Sequence, residues 1–99
     1  YDEALNKYQE ALNIAEEINH VKGIFLANQN IGHLYYIQKE YEKALKYYLE
    51  AEKINDEYHF LNEHEKEKFS LRIGIIKKKI SNNHTELNIT YGKEETREQ

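Results

Sequence analysis

Five histidines are the side chains best suited to ligating a metal: His20, His33, His59, His64 and His84. His59 and His64 lie five apart, which splays them around a helix, whereas an i, i+4 pair would bring both rings to one face. Glu63 and Glu65 flank them, but acids are common throughout the chain. The spacing reads as solvated histidines, and no metal site is expected. Nucleophilic catalysis needs a hydroxyl held beside a base. Ser70 and Ser81 are the only serines, and neither stands in a nucleophile elbow. No glycine-rich phosphate loop occurs. Glu16-Glu17 and Glu94-Glu95 read as solvated helix faces, so no catalytic residue is assigned and no cofactor is expected.

One basic stretch remains, Lys66, Lys68, Arg72 and Lys77-Lys78-Lys79. Such a stretch can meet an acidic partner or nucleic acid. No aromatic residue interleaves Lys77-Lys78-Lys79 as single-strand binding wants, and cations near a helix C-terminus are favourable in their own right. It reads as a charged outer face. Asn83-His84-Thr85 and Asn88-Ile89-Thr90 match glycosylation sequons, a pattern short enough to arise by accident.

The elements that would carry these residues are helical. The 99 residues contain no Pro and four glycines, so long helices face no Pro interruption. Ala, Leu, Glu, Lys and Gln fill most of the first sixty positions. Net charge is −4, which disfavours nucleic acid as the main partner. Cys is absent, which excludes disulfides and thiolate zinc sites and suits a reducing compartment. No run is apolar enough to span a membrane. The sequence starts at Tyr1 and lacks Met, from which a fragment of a longer, cytoplasmic protein is expected.

A repeat is the strongest signal. Tyr1, Ala4, Leu5, Tyr8, Glu10, Ala11 and Ile14 recur as Tyr41, Ala44, Leu45, Tyr48, Glu50, Ala51 and Ile54, each pair 40 residues apart. A fixed period of this size marks stacked supersecondary units. Ala44, Tyr48 and Ala51 share one helix face. The alanines admit a neighbouring helix, and the ring fills the space between them. Between the copies, from about Val21 to Gln38, Asn28, Ile31, Gly32 and Tyr35 define a second helix. Gly32 costs that helix about 1 kcal/mol relative to Ala, so it is expected at a close contact. Asn19-His20 breaks the preceding helix, and Gln38-Lys39-Glu40 turns into Tyr41.

Asn28, Ile31-Gly32, Tyr35, Tyr41, Ala44, Tyr48 and Ala51 stand at the signature spacing of the tetratricopeptide repeat, which this sequence resembles from about Gly23 to Asp56. Lys39 occupies the position of the family's turn Gly, and Asp56 that of its frequent Pro. The 40-residue period is similar to the longer-repeat subtype of kinesin light chains and Rap-type peptide-sensing regulators. The resemblance implies an all-α fold, with antiparallel helix pairs stacked as a short α-solenoid. Residues 1–18 would be the second helix of a truncated repeat, residues 21–57 one full helix pair, and residues 62–80 the first helix of a further repeat. Phe69, Ile73, Ile76 and Ile80 form its apolar stripe, and Ile73-Gly74 echoes Ile31-Gly32. Residues 81–99 read as a degenerate helix or mobile tail. Thr85 offers a cap there, Leu87, Ile89 and Tyr91 alternate, and Gly92 interrupts.

In the family, first helices line a concave groove. With Asn28, Ile31 and Tyr35 turned to neighbouring helices, Leu26, Gln29, His33 and Tyr36 point the other way. Aligning Gly74 with Gly32 continues the groove through Lys68, Leu71, Ile75 and Lys78. A family subset clamps a terminal carboxylate with Lys and Asn, but Gln29, His33, Leu71 and Ile75 stand here instead. A mixed apolar and amide groove for a protein or peptide partner is therefore implied. The alternative is a peptide-sensing input domain of a signalling protein whose effector domain lies outside this chain. Arrays usually need about three repeats. Tyr8, Leu5 and Leu12 are expected to be uncovered, and the chain to self-associate through its ends.

Overall fold

The computed structural model describes residues 1–98, with side chains through residue 83. Four α-helices follow one another: α1 (Asp2–Glu17), α2 (Val21–Ile37), α3 (Tyr41–Tyr58) and α4 (Glu63–Glu98). No strand occurs among the described residues. The packed pairs are α1 with α2, α2 with α3 and α3 with α4. Contact between successive helices is the organisation of a solenoid. The chain is all-α, its antiparallel helix pairs stacked in this way. Its radius of gyration is 17.3 Å, against about 13 Å for a compact domain of similar length. Extents of 61 × 32 × 18 Å reflect the stack and the 36-residue α4. That helix runs on past Ile80, where the sequence pattern weakens. The expectations resting on Thr85, Leu87, Ile89, Tyr91, Gly92 and the sequon residues beyond Asn83 lie outside the described side chains.

The first two turns share one construction. Asn19 and Lys39 adopt left-handed backbone, with φ of 55° and 63°. Each donates to a carbonyl three residues back, Asn19 to Glu16 at 3.2 Å and Lys39 to Tyr36 at 3.0 Å. The following residues reach five back, His20 to Ala15 at 2.8 Å and Glu40 to Tyr35 at 2.9 Å. This Schellman pattern satisfies helix-end carbonyls and reverses the chain in three residues. Lys39 therefore takes the conformation that suits Gly best. His20 also caps α2, its Nδ1 accepting from the Gly23 N–H at 2.9 Å.

The link from α3 to α4 is built differently. His59 is left-handed at φ 56°. The buried Asn55 side chain accepts from the Leu61 N–H at 2.9 Å. Asn62 and Glu65 then form a reciprocal capping box: the Glu65 N–H reaches Asn62 Oδ1 at 2.8 Å, and the Asn62 N–H reaches Glu65 Oε1 at 3.1 Å. Phe60 lies 5.4 Å from the buried Phe25 ring, pinning the link against α2.

Two apolar clusters hold the stack. Leu12, Ala27 and Ile31 join α1 to α2, with Leu5, Tyr8 and Tyr47 at the edge. Ala44, Tyr48, Ile73 and Ile76 join α3 to α4, with Phe69 and Ile80 packed on them. The Tyr48 ring meets Phe69 edge-on at 5.4 Å. Ala44 and Ala51 are wholly buried, which is the small-residue contact that their spacing predicts. One expectation fails: Leu12 is buried, because it faces Ala27 and Ile31 of α2. Leu5 and Tyr8 are half-buried in the same cluster. The exposed large apolar residues here are instead Ile14 within α1 and Tyr1 and Ile18 flanking it.

Candidate binding surface

The residues of α2 divide by face. Asn28, Ile31 and Gly32 are buried, while Tyr35 is half-buried against both clusters and stacks on Tyr47 at 5.7 Å. The Asn28 amide donates to the Ile24 carbonyl at 2.9 Å, which answers the polar group that burial would otherwise strand. On the other side, Leu26 is 45% exposed and His33 is exposed, with Gln29 and Tyr36 half-buried. On α4, Leu71 is 67% and Ile75 40% exposed, and Lys68 and Lys78 are exposed too.

Arg72 ties the two helices together. Its Nη1 lies 3.2 Å from His33 Nδ1, and its guanidinium carbon stands 5.7 Å from the centre of the Tyr36 ring. The guanidinium has only donors, so His33 Nδ1 accepts in this contact. Tyr36 in turn packs edge-on against Tyr41 at 6.0 Å. In the sequence Arg72 reads only as one member of a basic stretch. The same stretch also places the Lys79 ammonium 5.5 Å from the Tyr41 ring.

Beneath this surface Tyr48 is almost wholly buried, and its hydroxyl makes no hydrogen bond of good geometry. Burial raises its pKa above the ordinary tyrosine value, against the opposing pull of nearby Arg72. Arg72 stands near that hydroxyl as a cation, without a hydrogen bond of good geometry to it.

Two clefts open elsewhere. One of about 410 Å³ lies among Lys39, Glu40, Tyr41, Lys43, Ile80 and Asn83. Another of about 420 Å³ is bordered by Leu12, Glu16, Ile24, Asn28, Lys46 and Tyr47. Neither includes any of Leu26, Gln29, His33, Tyr36, Leu71, Ile75 or Lys78. Among the described residues no three His, Asp or Glu side chains converge as a metal site, and no helix is long and apolar enough to cross a membrane.

The helix pair α2–α3, with its buried glycine and alanines, is matched by a family model. Residues 25–58 fit the model described as the tetratricopeptide repeat. Over this segment, about a third of the chain, the protein is similar to the tetratricopeptide repeat. No curated protein and no solved structure matches the chain. The matched repeat opens at Phe25 and closes at Tyr58, the last residue of α3. It contains the signature residues Asn28, Ile31, Gly32, Tyr35, Tyr41, Ala44, Tyr48 and Ala51. Tetratricopeptide repeats typically serve as non-catalytic scaffolds for protein interaction.

Proposed function

We propose that this chain is a scaffold that binds a protein or peptide along a groove lined by α2 and α4. Leu26, Gln29, His33 and Tyr36 form one wall, and Leu71, Ile75 and Lys78 the other. In this reading residues 1–18 are the second helix of one repeat, residues 21–57 a complete pair, and residues 62–80 the first helix of a further repeat. A second copy of the chain is a further partner, through the ends of the stack.

The observation that carries the groove is the Arg72 bridge to His33 and Tyr36. It links α4 to α2, and Leu26, Leu71 and Ile75 on those helices are exposed. Apolar anchors beside a cation, an imidazole and an amide suit an extended peptide or a helix, which offers both side chains and backbone carbonyls.

A displayed random-peptide library selected on the chain tests this. Binders should lose about tenfold or more in affinity with Tyr36→Ala or Leu71→Ala, and keep it with Lys53→Ala on the exposed side of α3. Helicity should stay unchanged in each variant. Binders indifferent to both groove substitutions would place the partner surface elsewhere.

A further inference from the structure

The cleft of about 420 Å³ is walled by three helices that pack on one another within the chain, α2 against both α1 and α3. Each helix supplies residues one turn apart, which places them on one face: Leu12 and Glu16 from α1, Ile24 and Asn28 from α2, Lys46 and Glu50 from α3. Leu12 and Asn28 are buried and Ile24 half-buried, so they form the floor, while the exposed Glu16, Lys46 and Glu50 stand at the rim. The Tyr47 hydroxyl, beside the opening, accepts from Gln9 Nε2 at 3.1 Å and ties α3 to α1.

The polar atoms of this cleft are short of partners. Asn28 is 4% exposed, and its Nδ2 is engaged in donating to the Ile24 carbonyl. Its Oδ1 accepts no hydrogen bond among the described residues. The Tyr48 hydroxyl is the one fully enclosed side-chain polar atom without a partner among them. The Asn28 oxygen therefore reaches open space, and the cleft is the space that Asn28 borders. Neither Glu16 nor Glu50 is ion-paired among the described residues, where the salt bridges are Lys7–Glu3 and Lys43–Glu40. Lys46 holds its ammonium over the Tyr47 ring, 5.7 Å from the centre. The rim thus sets two unpaired carboxylates against one ammonium, above an acceptor oxygen and an apolar floor.

We infer that this cleft receives the side chain of an arginine from a protein partner. A guanidinium carries five N–H donors and no acceptor, which matches a site whose free polar atoms accept. Its planar fork serves an amide oxygen and a carboxylate together, which the compact ammonium of lysine does less well. The arginine stem is apolar and suits Leu12 and Ile24. Exposed carboxylates hold a cation weakly by themselves, so the site fits one residue of a longer chain whose other contacts add to it. None of the groove residues borders the cleft, so this second contact stands whether or not the groove binds peptide.

Titration of the isotope-labelled chain with an alanine-arginine-alanine tripeptide, blocked at both ends and followed by NMR, tests this. The Asn28 side-chain amide and the backbone amides of Glu16 and Glu50 should shift together and saturate, while that of Leu71 stays in place. The tripeptide with norleucine for arginine keeps the stem and lacks the cation, and should leave them unmoved. The lysine version should bind more weakly than the arginine one. Glu16→Gln combined with Glu50→Gln should weaken the arginine probe by about tenfold or more. Both positions are exposed, and circular dichroism verifies that the variant folds. Shifts that do not saturate, or an affinity that ignores the paired substitution, overturn the inference. Butylguanidinium has the same head and stem without a peptide backbone, and should bind more weakly than the tripeptide. Equal or tighter binding would assign the cleft to a free small cation and overturn the partner as its source. Tyr36→Ala should leave the arginine shifts in place, which separates failure here from failure of the groove.

Discussion

Gly32 lies against the ring of Tyr48: a Cβ at position 32 would stand 3.1 Å from Tyr48 Cδ1, tighter than ordinary van der Waals contact. At Gly74 the same atom would meet nothing within 4 Å. Alanine favours an exposed helix by about 1 kcal/mol over glycine, whereas overpacking a tight contact costs about 1–3 kcal/mol. Gly32→Ala should therefore lower stability by about 1 kcal/mol, and Gly74→Ala should raise it by about 1 kcal/mol. Urea unfolding at concentrations low enough to keep the chain monomeric measures both. Equal shifts of the same sign would mean that α2 and α3 do not approach so closely.

Tyr48 gives a prediction in alkali. Its hydroxyl is buried without a good partner, and burial raises its pKa above the ordinary value of 10.0. The folded state thus holds that proton more tightly than the unfolded state. The stability linked to it is complete below the ordinary tyrosine pKa and is lost as pH rises through the higher folded value. Tyr48→Phe should remove this share of the alkaline decline. At neutral pH the variant should gain about 1 kcal/mol, since an unpaired buried hydroxyl is deleted without loss of the ring contact to Phe69. Melting of both proteins at neutral and alkaline pH checks the pair of effects. A large loss at neutral pH would show that the hydroxyl has a partner.

Lys39 sits at φ 63°, where a side chain costs about 1–2 kcal/mol relative to glycine. Lys39→Gly should raise stability by about 1 kcal/mol after the greater freedom of glycine in the unfolded chain is counted. The turn hydrogen bonds from Lys39 and Glu40 come from backbone N–H groups, so the substitution leaves them in place. A chemical-denaturation midpoint that falls would indicate that the lysine side chain contributes to the turn.

The helix pair was legible in the sequence because its packing is encoded in residue size at helical spacing. Ala44, Tyr48, Ala51 and Gly32 can meet in few other ways, and Ala44 and Ala51 are fully buried. Leu12 was misread because a repeat copy tells which residues are apolar, not which of the two neighbouring helices is present to cover them. Arg72 escaped notice for a different reason. Its contacts to His33 and Tyr36 join helices 39 and 36 residues apart in sequence, and they depend on how α2 and α4 rotate against α3. No periodicity within α4 records that angle. The Phe25–Phe60 contact is likewise a property of where the last link folds back, at 5.4 Å between ring centres.

Asn55 controls that last link. It is 3% exposed near the end of α3, and its Oδ1 accepts from the Leu61 N–H at 2.9 Å. Its own carbonyl accepts from the His59 N–H at 2.7 Å, so one residue receives the chain on both sides of the left-handed turn. Removing the side chain strands a half-buried donor, at a cost of about 1–3 kcal/mol. Asn55→Ala should therefore loosen residues 59–62 before it affects the α1–α2 contact, which lies in a separate cluster. Hydrogen exchange resolves this: the Leu61 amide should exchange faster by about tenfold or more, while the Ile31 amide follows only the change in global stability. Asn55→Asp keeps an acceptor at the same place and should return most of the Leu61 protection. If the Leu61 amide is unaffected by Asn55→Ala, the link is held by the Phe25–Phe60 contact and not by this hydrogen bond.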